Sequence, residues 1–449
     1  MSQLAAQIAA VEEAMPYGVT GSVEAVGGLT IEASDLALPV GSLCRIGDKR
    51  VLAEVIGFQR DRTLLMVMDS TGGVSRGDRV ENVAATASVG CSEQMLGRVL
   101  DGFGRPIDGK GPLPLASPRS LECSPVACLD RTHIDTPITT SIRCIDSLLT
   151  CGLGQRMSIF SGPGVGKSML MGQIAKHTSA DVSVVALVGE RGREVNEFLQ
   201  KNLGESGLRR CVVIVSTGDQ APLLRVRAAK VACAVSEFFR EQGKHVLLLI
   251  DSLTRLAQAQ RQIGLAAREP PATKGFPPSV FALLPQILER AGRTANGSVT
   301  GFYTVLVEGD DFNEPIADAV KGISDGHLWL SRALANRGHF PAVDVLQSIS
   351  RVRSDVTSAE QLRHARRVVS LLASYQEIED LVNIGAYVAG NSPDMDLAVQ
   401  ARQRIVQFLQ QDFAAPTTFA QAQQQLRDLH TAIEAMDRGI RTAAGKKGK

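Results

Sequence analysis

Aromatic residues are scarce in this chain. Of 449 residues, one is Trp, four are Tyr and fourteen are Phe, 4% in all. So few rings leave little on which single-stranded bases could stack. Charge of either sign in excess is also missing. The formal net charge is +1, which gives no footprint for general nucleic-acid or membrane-surface binding. No apolar run approaches the ~20 residues of a membrane span. The eight cysteines, at 44, 91, 123, 128, 144, 151, 211 and 233, form no Cys-x-x-Cys pair and have no His cluster beside them. A zinc site is therefore not expected, and buried reduced thiols fit a cytoplasmic compartment. The opening MSQLAAQIAAVEE has no basic stretch and carries acids early, so it does not read as a secretory signal.

What the chain does have is the stretch Met157–Leu170, MSIFSGPGVGKSML. A short apolar run breaks into Ser161-Gly162-Pro163-Gly164-Val165-Gly166, and Lys167, Ser168 and Met169 open a helix-forming segment. Strand, tight loop and helix in this order make a phosphate-binding loop. Glycines let the backbone approach an anion. The new helix offers free N–H groups and the positive end of its dipole. Lys167 adds a full charge for the β- and γ-phosphates, and the Ser168 hydroxyl suits a Mg²⁺ ligand. The first glycine of the G-x-x-x-x-G-K-[ST] pattern is replaced by Ser161. Alone, the loop supports an ATP- or GTP-binding domain.

The length predicts two to four domains. Leu4, Ile8, Val11 and Met15 fall at helical spacing before Pro16. They make either a frayed terminus or a docking helix for a partner. Short β-rich runs separated by glycine turns predict a small all-β barrel over 18–93. With Tyr17 and Phe58 as its aromatics, that barrel suits packing or assembly better than base stacking. Residues 94–140 are a connector rich in Gly and Pro, with little regular structure expected. Aliphatic strands at 157–160, 182–188, 211–216, 245–250 and 299–307 alternate with helical stretches. The fold class is thus multidomain α/β, with a mostly parallel core sheet that binds ligands at the carboxyl ends of its strands. Residues 355–438 are largely helical, with Leu426, Leu429, Ile433 and Met436 on one face of the last helix, and GKKGK reads as a solvated terminus. The expected limits are 1–17, 18–93, 94–354 and 355–449.

The strand ends carry the remaining chemistry. HVLLLID ends in Asp251, placed to hold Mg²⁺ or its water opposite a phosphate loop. VSVVALVG runs into Glu190, Arg191 and Glu194. A carboxylate there can polarise water, and Arg191 can neutralise charge on the transferred group. VLQSISRVR supplies Arg351 and Arg353, and in an oligomer such an arginine can enter a neighbour's site.

PAVDVLQSIS (341–350), with GERGREVNEF and LGRVLDGFGRPIDGKGPL, resembles the signature of rotary-type ATPase α and β subunits. The likeness extends over residues 18–440. Within that superfamily, SLTRLAQAQRQIGLAAREPPATKGFPPSVFALLPQILERAG and DDFNEPIADAVKGISDGHLWLSRAL resemble the flagellar and injectisome protein-export ATPases, and the wording stands nearer to the flagellar branch. The resemblance implies a β-barrel, a RecA-like nucleotide domain, a helical C-terminal domain and a homohexamer with ATP sites between subunits. It implies that Gly162–Met169 bind ATP, with Lys167 on phosphate and Ser168 and Asp251 serving Mg²⁺. It further implies that Glu190 polarises water, that Arg191 and Glu194 flank the γ-phosphate and metal, and that Arg351 is the finger. Phe340 sits where the family places an aromatic against adenine. Phe413 and Phe419 match the rest of that pocket or are core packing. The implied partners are a regulatory stator-like protein at the N-terminal helix, export substrates with their chaperones, and a membrane export gate. That places the chain at the cytoplasmic face of the inner membrane.

Three functions compete on these residues. They are an export ATPase, flagellar or injectisome; a catalytic subunit of a rotary ATP synthase; and an RNA-tracking helicase resembling the terminator Rho, which the bare barrel disfavours.

Overall fold

The computed structural model describes residues 18–447 apart from 69–70, 85, 115–116, 124, 308–313 and 391. The N-terminal positions Leu4, Ile8, Val11, Met15 and Tyr17 lie outside the described residues.

Six strands come first: β1 (Thr20–Gly27), β2 (Thr30–Ser34), β3 (Leu43–Ile46), β4 (Val51–Gln59), β5 (Arg62–Val67) and β6 (Arg79–Ala84). They close into an antiparallel barrel in the order β1-β2-β5-β4-β3-β6. Alternation sends Val23, Ile31, Ala33, Cys44, Ile46, Ala53, Val55, Leu65, Val67 and Val80 inward, all fully buried. Closure leaves no open sheet edge. β5 departs from alternation because Met66 on its outer face, with Met68 just beyond, packs into the next domain's apolar core. That contact docks the barrel.

The connector is more structured than its composition suggests. β7 (Ser88–Cys91) pairs with β9 (Ser117–Ser120), and β8 (Val99–Leu100) joins the edge of the core sheet beside a later strand. Asp108 holds this crossing: its carboxylate accepts from Arg98 Nε at 2.8 Å and from the Val99 N–H at 3.1 Å. β10 (Pro137–Ile138) and β11 (Cys151–Gly152) form a short pair.

The core strands are β12 (Arg156–Ser161), β13 (Val182–Val188), β14 (Cys211–Ser216), β15 (His245–Asp251), β16 (Gly292–Arg293), β17 (Ser298–Leu306), β18 (Gly326–Leu330) and β19 (Val343–Ser350). The nine-stranded sheet runs β19-β18-β12-β17-β15-β13-β14-β8, with β16 paired to β17. It is parallel except at β16 and β19. Helices cover both faces, so the strands are near-continuous aliphatic runs. Val184, Ala186, Leu248 and Ile250 face helices Pro222–Glu241, Leu253–Ala266 and Pro278–Leu288. Val185, Leu187, Leu247 and Leu249 face helix Lys167–His177.

Three long helices end the chain: Ala359–Asn383, Pro393–Leu409 and Phe419–Lys447. Leu426, Leu429 and Ile433 of the last are buried, and Met436 packs on the same cluster. That cluster is continuous with the face of the sheet under the loop helix, so these helices have no separate core. The last helix runs to Lys447, into the GKKGK stretch.

Candidate active site

β12 delivers Ser161 to the carboxyl edge of the sheet, and the next five residues turn the chain into helix Lys167–His177. Two turn positions need glycine: Gly164 has φ 78° and Gly166 φ 89°. Val165 is buried and anchors the loop, whereas Pro163 and Gly164 are exposed. No side chain caps the helix start, so its first N–H groups remain available to an anion. Ser168 and Met169 are exposed on the first turn. The Ser161 Oγ is buried and finds no hydrogen-bond partner among the described residues.

β13, β15 and β17 bring the other groups to the same edge. Lys167 Nζ lies 2.5 Å from Asp251 Oδ1 and 3.6 Å from Glu190 Oε1. The second distance is an ion-pair contact, too long for a hydrogen bond, and Oε1 has no hydrogen-bond partner among the described residues. Thr304 Oγ1 also donates to Asp251 Oδ1, at 2.7 Å. Burial lowers the Lys167 pKa, but Asp251 and Glu190 outweigh it and the net shift is upward. Glu190 is pushed up to about 7 by burial, then by Asp251 and by its hydrogen-bonding neighbour Glu194, with Lys167 opposing. Glu194 is held below its ordinary range by that bond with Glu190, against its partial burial, and by Arg191. A carboxyl near neutrality beside an anion cradle is the arrangement expected of a general base.

Gly189, at φ 75°, makes the turn from β13 into Glu190. A Cβ there would stand 2.8 Å from Arg255 Cβ, so the close approach of helix Leu253–Ala266 also requires glycine. Arg191 is exposed and pairs with Glu194 at 3.6 Å.

Phe340 is half exposed just before β19. A Cβ on Gly166 would lie 3.5 Å from its ring, which puts the ring beside the loop. The Phe340 carbonyl accepts from the Gln411 N–H at 2.9 Å, drawing the segment that carries half-buried Phe413 alongside. Phe419 is not brought there. It lines a separate cavity of about 270 Å³ with Gln361, His364 and Gln423.

Arg351 is exposed beyond the last residue of β19, and its N–H donates to the Asp325 carbonyl at 2.9 Å. Asp325 in turn accepts from the Arg156 guanidinium through both carboxylate oxygens, at 2.9 Å each. Arg351 is thereby fixed at the start of β12. β12 is six residues long, so Arg351 stands about 16 Å along the strand from its own loop. Arg353 turns inward and donates to the Leu148 carbonyl at 2.8 Å.

Sequence reasoning passed over Thr304 and Arg255. A threonine within VTGFYTVLV reads only as a strand former, and an arginine within SLTRLAQ as a helix residue. Position near the carboxyl end of a strand was the available signal for Thr304; Arg255 lies in the first turn of the helix that follows β15.

Three family models match the chain. Residues 24–83 match the ATP synthase alpha/beta family β-barrel domain and 141–350 its nucleotide-binding domain. Residues 357–428 match the T3SS EscN ATPase C-terminal domain. The flagellum-specific ATP synthase of Bacillus subtilis is 50% identical over 405 residues, covering 89% of this chain and 92% of that one. The assembled ATPase EscN of the enteropathogenic E. coli type III secretion system superimposes with a TM-score of 0.87 at 43% identity, covering 91% of this chain and all of that one. The same ATPase in complex with its central stalk EscO gives 0.86 at 42% identity, with 91% of this chain and 100% of that one covered.

Proposed function

The chain belongs to the ATP synthase alpha/beta family, among its flagellum-specific ATP synthases and type III secretion ATPases, and we propose that it hydrolyses ATP for a flagellar protein-export apparatus. The observation that carries the chemistry is Glu190, a buried carboxyl near neutrality facing the loop lysine and Asp251. The choice of the flagellar branch is supported by 50% identity to a flagellum-specific relative.

The loop N–H groups and Lys167 take the β- and γ-phosphates, and Phe340 takes the base. Glu190 accepts a proton from the attacking water. Arg191 and Glu194 order the region around the γ-phosphate. The hydroxyl of Ser168 and the carboxylates of Asp251 and Glu194 are hard oxygen donors that fit Mg²⁺, which binds through few protein ligands and substrate phosphates. When bound, Mg²⁺ supplies neutralising charge to those phosphates. Lys167 must leave Asp251 to reach a phosphate, and the Asp251 carboxylate is then available to a cation.

Arg351, too far from its own loop, acts in the site of the next subunit. One chain then carries both halves of each site, as a homohexamer with a ring-closing interface requires. Residues 1–17 dock a regulatory stator-like protein, by the sequence spacing of Leu4, Ile8, Val11 and Met15. Export substrates, chaperones and a membrane gate complete the partners. The proposed location is peripheral, at the cytoplasmic face of the inner membrane; no described helix is long and apolar enough to cross a membrane.

The experiment is deletion of the gene in the native cell. Filament protein should no longer be exported, and Lys167→Ala should fail to restore it. Normal filaments with loss of another secreted set would assign the protein to an injectisome. Removing residues 1–17 should abolish partner binding and spare hydrolysis.

A further inference from the structure

Two donors converge on one oxygen of Asp251. They differ in what else they have to do. Lys167 is shared with Glu190 and, on the reading above, leaves for a phosphate. Thr304 has no second task. It lies on β17, between the loop strand β12 and the Asp251 strand β15, and is 0% exposed. Among the described residues its hydroxyl has one partner, Asp251 Oδ1 at 2.7 Å. Its strand neighbours Tyr303 and Val305 are fully buried and apolar or aromatic. The strand itself asks only for a β-branched side chain, which valine supplies without a polar atom to desolvate. The hydroxyl is therefore explained by the carboxylate and not by the fold. Among the described residues, the side-chain donors to this carboxylate, Lys167 and Thr304, both end on Oδ1.

We propose that Thr304 is a positioning residue for ATP hydrolysis: its hydroxyl pins Asp251 by Oδ1, so that the carboxylate keeps its orientation toward the loop while Lys167 transfers to a phosphate. The inference rests on the reading of Asp251 as a metal-site residue. Thr304 touches neither nucleotide nor metal and acts through Asp251.

The test uses the full chain with Thr304→Val, Thr304→Ala and Thr304→Ser, and Asp251→Asn as reference. The probe is Mn²⁺ with a non-hydrolysable ATP analogue, with free Mn²⁺ followed by electron paramagnetic resonance. Binding of the analogue in EDTA is measured alongside. Loss of a hydrogen bond to a charged group should weaken Mn²⁺ binding by about tenfold or more in the Val and Ala variants. Analogue affinity in EDTA should stay within about twofold, and Ser should restore Mn²⁺ binding because it keeps the hydroxyl. Turnover at saturating nucleotide should fall with the Mn²⁺ affinity. If Val does not fold, Ala carries the comparison. Unchanged Mn²⁺ binding in Val and Ala, with Asp251→Asn impaired, overturns the role of Thr304 and leaves the metal reading standing. Unchanged binding in Asp251→Asn overturns that reading and the inference with it. Equal losses in Ser, Val and Ala point to packing and also overturn it.

Discussion

Two inactive variants should restore each other if each site is shared between subunits. Lys167→Ala removes the cation that pairs with both Asp251 and Glu190 in the loop site. Arg351→Ala removes an exposed side chain at the opposite end of β12. That strand has six residues, a span of about 16 Å, which no arginine in the same subunit bridges. Each pure variant should be nearly inert, since an arginine finger contributes about 10³–10⁵ in turnover. In an equimolar mixture, random assembly gives about one interface in four with Lys167 on one side and Arg351 on the other. The expected result is ATPase activity up to about a quarter of the wild-type rate, appearing only when the two variants are assembled together. The assay is steady-state phosphate release on rings isolated by size exclusion with ATP. A finger acting within its own subunit leaves every subunit of the mixture with one defect and no rescue. Mixed rings no faster than the sum of their parents refute the shared site, as does full activity in pure Arg351→Ala rings.

Glu190→Gln should bind nucleotide normally and lose about 10²–10⁴ in turnover, read by fluorescent-nucleotide titration beside phosphate release. Because the Glu190 carboxyl sits at about 7, it becomes protonated below that pH and cannot accept a proton. In the wild type kcat/KM should therefore fall on the acid side of neutrality, and a flat profile between about pH 6 and 8 counts against Glu190 as base. Ser161→Ala removes a buried hydroxyl that has no partner among the described residues. It should raise the thermal midpoint, by relief of about 1–3 kcal/mol, and leave nucleotide affinity unchanged; a lower midpoint contradicts the orphaned geometry. Glu237 and Arg290 form a buried bidentate pair at 2.6 Å for both bonds. Glu237→Ala strands the arginine and should cost about 3–5 kcal/mol, seen as a large drop in the midpoint.

Much of the site was legible because its information is local. The loop is contiguous, and Asp251 and Glu190 follow aliphatic runs that announce their strands. The parallel order of the core follows from the same runs. What escaped depends on contacts distant in sequence. Thr304 meets Asp251 across 53 positions, and nothing in VTGFYTVLV signals the partner. β8 is two residues long and exists as a strand only because β14 is beside it. GHLWL is too short to reveal that β18 lies beside β12 and reverses into β19. Phe413 and Phe419 lie six positions apart, yet Phe419 opens the last helix and lines a cavity with residues of Ala359–Asn383.

β19 has a consequence beyond its place in the sheet. Phe340 stands just before its first residue and Arg351 just after its last. On the proposed roles, one stiff ladder carries the base of one nucleotide at its head and reaches toward the next subunit's nucleotide at its foot. The antiparallel turn from β18 is what separates those two ends. A ring built from such chains has a handedness in its wiring: each subunit's left and right neighbours meet different ends of the same rod. Coupling between adjacent sites is reciprocal in free energy. A step taken clockwise nonetheless differs from one taken counter-clockwise, and the difference is set by a single eight-residue strand.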